Sequence, residues 1–223
     1  NRKGYLDFLV HKLLPALRER GLVDMVDAYL ERIAFTKEEV SRLFAAARAL
    51  GLPVRLHADQ LSDTGGAALA AQWKALSADH LEYASARGIK AMGKSGTVAV
   101  LLPGAFFTLR EKRKPPVELM RRHKVAMALA TDSNPGTSPT LSLRLMMNMG
   151  CTLFGLTPEE ALAGVTRNAA QALGLEKEIG TLEKGKAASL AVWSAENPAE
   201  LSYWLGGSLL DSLILEGKPV IVS

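Results

Sequence analysis

From Tyr5 the apolar residues Phe8, Leu9, Leu13 and Leu17 recur at helical spacing and the pattern stops near Gly21, which predicts a first helix. Residues 23–30, rich in Val, Met, Tyr and Leu, read as a strand. Thr36-Lys37-Glu38-Glu39 then has the form of a capping box, with Val40, Leu43, Phe44, Ala47 and Leu50 on one face of the helix it opens and Gly51 as its stop. A strand over 54–57, a helix over 67–76 and the short segment 77–80 follow. Next come a helix near 82–87, a strand over 97–102, a helix around 117–122 and a strand over 125–131. Strands alternating with helices argue for parallel βα units, and an unbroken apolar run such as Val98-Ala99-Val100-Leu101-Leu102 fits a sheet covered on both faces.

Thr157-Pro158-Glu159-Glu160 starts a further helix with a cap, a first-turn Pro and acids at the positive end of the dipole. Beyond Gly174 the character changes. Glycines at 180, 185, 206, 207 and 217 surround short strands at 189–193, 212–215 and 219–222, a small β appendage. The division expected is therefore a larger α/β region over 1–175 and a β region over 176–223.

Composition narrows the picture. At 223 residues and 48% hydrophobic, the chain can bury a sizeable core. No apolar run approaches the roughly 20 residues of a membrane span, and the amphipathic start is unlike a signal peptide. The sequence opens on Asn1, which reads as a start within a longer protein. The single Cys151 cannot form an internal disulfide, so a reducing cytoplasm is expected. The net charge of +4 gathers in two runs, Arg110 to Lys114 and Arg121 to Lys124, without aromatic interleaving. No nucleic-acid role is expected from that.

Candidate chemistry lies at strand ends, where barrel folds place their active groups. His57 closes one predicted strand, His80 the next, and Asp132 the strand over 125–131. Neutral imidazole and carboxylate oxygen suit zinc or ferrous iron, which activate a bound water at neutral pH. His11 and His123 sit in polar helical surroundings and carry no assigned role. Gly88-Ile89-Lys90-Ala91-Met92-Gly93-Lys94-Ser95 matches the phosphate-loop pattern, but that loop must follow a strand and open a helix, and this one lies between a helix and a strand.

Three strings decide a resemblance: His57-Ala58-Asp59-Gln60-Leu61-Ser62, Ser77-Ala78-Asp79-His80-Leu81-Glu82-Tyr83, and Ala130-Thr131-Asp132-Ser133-Asn134-Pro135-Gly136-Thr137-Ser138-Pro139. With these, nearly the whole chain resembles the imidazolonepropionases, metal-dependent amidohydrolases. The resemblance implies part of a TIM-type (β/α) barrel, roughly the last five of eight strands, with the carboxy-terminal share of a composite β-sandwich. It implies hydrolysis of 4-imidazolone-5-propanoate to N-formimino-L-glutamate in histidine degradation. His57 and Asp132 would be ligands of one zinc or iron, His80 would polarise the lactam carbonyl, and Asp132 would move the proton. Gln60, Asn134, Gly136 and Thr137 would contact substrate. A homodimer is also implied.

Two departures matter. The family's His-x-His pair, the other two metal ligands, has no counterpart here, so the chain reads as a truncated, inactive portion of the enzyme, or as one that only completes a barrel. Gln60 stands where some relatives carry Glu, and an amide cannot act as a general acid or base. The rival enzyme reading is another amidohydrolase, such as a heterocycle deaminase.

Overall fold

The computed structural model describes residues 1–220. The chain forms two compact units, Asn1–Ala99 with Glu118–Val125, and Val100–Val117 with the chain from Ala126 onward.

The first predicted helix is α1 (Arg2–Phe8) and α2 (Leu14–Glu19), joined without a break by a π-helical turn over Leu9–Leu13. Pro15 accounts for that turn, because it has no N–H to donate and its ring crowds the carbonyl four residues back. After β1 (Val26–Leu30), α3 (Lys37–Ala49) carries the expected capping box: Glu39 N donates to Thr36 Oγ1 at 3.3 Å and Thr36 N to Glu39 Oε2 at 2.9 Å. Its face Val40, Leu43, Phe44 and Ala47 is buried.

β2 (Val54–Ala58), α4 (Gly66–Gln72), β3 (Ser77–His80), α5 (Ala86–Ser95) and β4 (Val98–Leu101) continue the alternation. α4 lies close on β2. A Cβ on Gly66 would come 2.7 Å from that of Ala58, so only glycine fits there. α6 (Pro103–Thr108), α7 (Val117–Arg122) and β5 (Met127–Leu129) complete a sheet in the sequential order β1-β2-β3-β4-β5, parallel as the alternation required.

In the second unit, α8 (Leu143–Phe154), α9 (Pro158–Val165) and α10 (Arg167–Leu173) pack against β5. Gly150 and Gly164 leave room for Leu129, and the Asn168 amide donates to Met127 O at 2.8 Å. The appendage is present as the antiparallel sheet β6-β7-β8 (Leu190–Trp193, Leu210–Leu215, Lys218–Val220), with α11 (Glu200–Tyr203) between its first two strands. None of the residues in these three strands is buried. The last two positions of the strand expected over 219–222 lie outside the described residues.

Several boundaries differ from expectation. The helix expected at 82–87 begins at Ala86 instead, because Ser85 caps it by accepting from Gly88 N at 3.3 Å. The phosphate-loop pattern therefore lies inside α5, not between a helix and a strand. β5 ends at Leu129, so Asp132 sits in the loop after the strand. α6, α8, α10 and α11 had no sequence expectation.

Phe44 is fully buried and meets Trp73 edge-on, with ring centroids 6.1 Å apart. Phe44→Ala should lower unfolding free energy by about 3–5 kcal/mol, read from urea denaturation followed by circular dichroism. A loss below about 1 kcal/mol would show that the α3 face is not packed as described.

Candidate active site

The parallel register sets Tyr29, His57 and Asp79 side by side across β1, β2 and β3. Side chains alternate along a strand, so Arg55 shares the face of His57, and Ser77 that of Asp79. The bonds agree: Arg55 donates through Nε to Ser77 Oγ at 3.1 Å and through Nη2 to Asp79 Oδ2 at 2.8 Å, and Ser77 Oγ donates to Asp79 Oδ1 at 2.7 Å. Burial pushes the Asp79 carboxyl up to about 6 against the opposing charge of Arg55.

By the same alternation His80 should turn to the opposite face with Ala78. It does not, because His80 and the next residue, Leu81, are both left-handed, with φ 77 and 73. Such backbone in non-glycine residues is strained and persists only where the surroundings fix it. Here Leu81 N donates to Ala58 O at 3.1 Å and Tyr83 N to Asp59 O at 2.7 Å. The result is a row of three rings: Tyr29 to His57 at 3.8 Å between centroids, and His57 to His80 at 4.1 Å.

Burial pushes the His57 imidazole down to about 4, against the nearby charge of Glu31 and the neighbouring Gln60 side chain, both of which favour the charged form. His80 is pushed down to about 2, by burial first and by the neighbouring His57 second. Both rings are therefore neutral at physiological pH, the form in which imidazole binds a metal. His57 Nε2 and His80 Nδ1 are buried and have no hydrogen-bond partner among the described residues. A buried, unpartnered nitrogen on each of two neutral rings fits part of a metal shell. Among the described residues no group of three His, Cys, Asp or Glu side chains is gathered to hold an ion.

His57, His80 and Gln60 thus come together in the first unit. Sequence reasoning missed Asp59, although it lies in the same string. Its carboxylate accepts from Thr64 N at 3.0 Å, Thr64 Oγ1 at 2.9 Å, Gly66 N at 2.9 Å and Ala67 N at 2.9 Å, and so fixes the loop from β2 into α4. Gly65-Gly66 downstream was the available signal. Tyr29 was missed as well.

The second unit brings Asp132, Asn134, Gly136 and Thr137 into one loop. Asp132 is left-handed, with φ 49, and half-buried, and burial raises its carboxyl above the usual range. Asn134 organises the loop: its Oδ1 accepts from Gly136 N at 2.9 Å and Thr137 N at 2.7 Å, and its Nδ2 donates to Asp132 O at 2.7 Å and Thr137 Oγ1 at 2.9 Å. Ser138 Oγ donates to Thr131 O at 2.5 Å and closes the loop on itself.

The model of the amidohydrolase family matches residues 18–220, and the chain belongs to that family. Among curated proteins it is 60% identical over 216 residues to the imidazolonepropionase of Erwinia tasmaniensis, covering 97% of this chain and 53% of that protein. The chain thus spans about half the length of the curated relatives it matches. Solved structures share the fold. An adenosine deaminase from Xanthomonas campestris with bound zinc superimposes with TM-score 0.73 at 20% identity over 94% of this chain and 54% of its own. A 5-methylcytosine deaminase from Klebsiella pneumoniae gives 0.75 at 20% identity over 93% and 59%. The α/β elements are thus part of the barrel that the alternation and the resemblance had indicated. No helix among the described residues is long and apolar enough to cross a membrane.

A proton titration checks the electrostatics. In the metal-free chain, NMR signals of the His57 and His80 rings should stay those of neutral imidazole from pH 8 to about pH 5, with His57 shifting only near 4. A pKa lowered by folding means that the unfolded chain takes up the proton first, so both rings lose stability as pH falls from 6.5 toward 4. Asp79, raised from 3.8 to about 6, acts with the opposite sign, gaining stability as pH falls across that interval. A midpoint near 6.5 for either ring would show that it is solvated.

Proposed function

We propose that this chain is the carboxy-terminal portion of an imidazolonepropionase that hydrolyses 4-imidazolone-5-propanoate to N-formimino-L-glutamate. The reading is supported by 60% identity over 97% of the chain to a curated protein of that name. The single observation in the structure that carries it is the pair of buried neutral rings with unpaired nitrogens, His57 and His80. It implies a cytoplasmic enzyme with a small-molecule substrate.

His57 and Asp132 would hold one zinc or iron, with two further ligands from outside this chain. A metal there supplies Lewis acidity that makes a water nucleophilic at neutral pH. Asp132, whose carboxyl is raised by burial, takes the proton from the attacking water and returns it to the leaving ring nitrogen. His80 stays neutral and polarises the lactam carbonyl as a hydrogen-bond donor, stabilising charge that develops on the oxygen. Gln60 offers a side-chain amide to the substrate. Asn134 spends its amide holding the loop, so that the Gly136 backbone and the Thr137 hydroxyl are presented in a set geometry.

Asp132→Asn in the full-length protein that contains this sequence should lower turnover of imidazolonepropanoate by at least about 10²–10⁴-fold while circular dichroism stays native. Near-normal turnover at normal metal content would remove Asp132 from its role. The chain alone has two assigned ligands where a catalytic zinc site takes three plus an open position. Purified and supplied with zinc or ferrous iron, it should hydrolyse none of the substrate above background. Metal-dependent turnover by the isolated chain would overturn that ligand count.

A further inference from the structure

Side chains alternate along β1, so Val26, Ala28 and Leu30 are buried on the helical side while Asp27 and Tyr29 turn to the other face. The parallel register then pairs Tyr29 with His57. Cross-strand partners on one face stand close enough for aromatic rings to touch. These two do: the ring centroids are 3.8 Å apart and the planes are tilted by 58°. β2 lies between β1 and β3, and from β3 His80 meets the same imidazole at 4.1 Å with a tilt of 44°. His57 is therefore held between two rings.

That contact bears on what a metal ligand must do. Strand register fixes where the Cβ of His57 points, but the last torsion of a histidine has a broad well, so register alone leaves the ring free to swing. Imidazole binds a metal through a nitrogen lone pair in the plane of the ring, and a swung ring aims that lone pair elsewhere. His57 Nε2 is the nitrogen left buried without a partner among the described residues. Tyr29 blocks the swing toward β1. His80 blocks the other side and is itself pinned by the left-handed backbone at 80 and 81. A tyrosine ring suits such a task because it is large and stiff, and nothing in the contact requires its hydroxyl.

We infer that Tyr29 is a positioning residue for the metal site: its ring, packed on His57 from the β1 side, sets the plane of the imidazole and so the aim of Nε2. It acts through His57 and not on the ion. The inference rests on the ligand role proposed for His57.

The test uses the full-length protein and needs no substrate. Zinc affinity is measured by chelator competition for the parent, Tyr29→Phe, Tyr29→Leu, Tyr29→Ala and His57→Ala. Cobalt(II) put in place of zinc gives visible bands that follow the coordination geometry. Residues that orient a ligand without binding the metal typically contribute about 10–100-fold in affinity. Ring packing is less directional than a hydrogen bond, so the low end of that range, about tenfold, is expected for Tyr29→Leu and Tyr29→Ala, with altered cobalt bands. Tyr29→Phe, which keeps the ring and loses only the hydroxyl, should match the parent in both. Circular dichroism of the metal-free proteins checks folding, and Tyr29→Leu, which fills more of the space, carries the test if the alanine variant fails to fold. Parent-like zinc affinity in Tyr29→Leu overturns the inference. So does a Tyr29→Phe that binds as weakly as Tyr29→Leu, since the hydroxyl would then be the acting group. Parent-like affinity in His57→Ala would instead remove His57 from the metal, overturning the ligand assignment and this inference with it. A parent that binds zinc through His57 yet does not hydrolyse imidazolonepropanoate would overturn the functional reading alone, leaving this one to be decided by the affinities.

Discussion

The parallel hydrogen-bond register of β1, β2 and β3 is the constraint on which the first unit's site depends. It brings Tyr29, His57 and Asp79 abreast, and a shift of one residue in β2 would turn both Arg55 and His57 to the helical side. Everything polar on that face follows from it. The Arg55–Asp79 pair can form only because 55 lies diagonal to 79, and the ring row only because 29 lies opposite 57. A face that carries a half-buried ion pair and two neutral histidines is costly to assemble, and helices packed on the other side of the strands supply the apolar burial that offsets it.

Much of the scaffold was legible in the sequence because it is written locally. The capping box at Thr36 and the cap at Thr157 occupy four residues each and form as expected, the second as a full capping box too. α8 had no sequence expectation, although Arg144, Asn148 and Thr152 recur at every fourth position as a polar stripe on an otherwise apolar helix. The strand expected over 125–131 was cut to three residues because its end gives way to a loop that Asn134 organises with its own side chain, an arrangement that apolar content does not signal.

The candidate site divides in the same way. His57, His80 and Asp132 stood out as polar residues at the ends of apolar strands. What surrounds His57 did not, since Tyr29 meets it through the pairing of two strands with a helix between them in the chain, and nothing in the residues near Tyr29 points to that contact. Asp59, which had no role assigned from the sequence, proves to be the anchor of the next helix.

The left-handed pair at His80 and Leu81 has a consequence for how such a scaffold changes over time. The turn that brings position 80 onto the inner face is made by the backbone and held by the carbonyls of Ala58 and Asp59, not by the imidazole itself. A residue that tolerates left-handed backbone, as Asn and Asp do, is delivered to the same place beside His57. A single codon can therefore exchange the chemical group offered to a bound molecule while the framework stays as it is, which makes this position an inexpensive place for a lineage to explore new reactions.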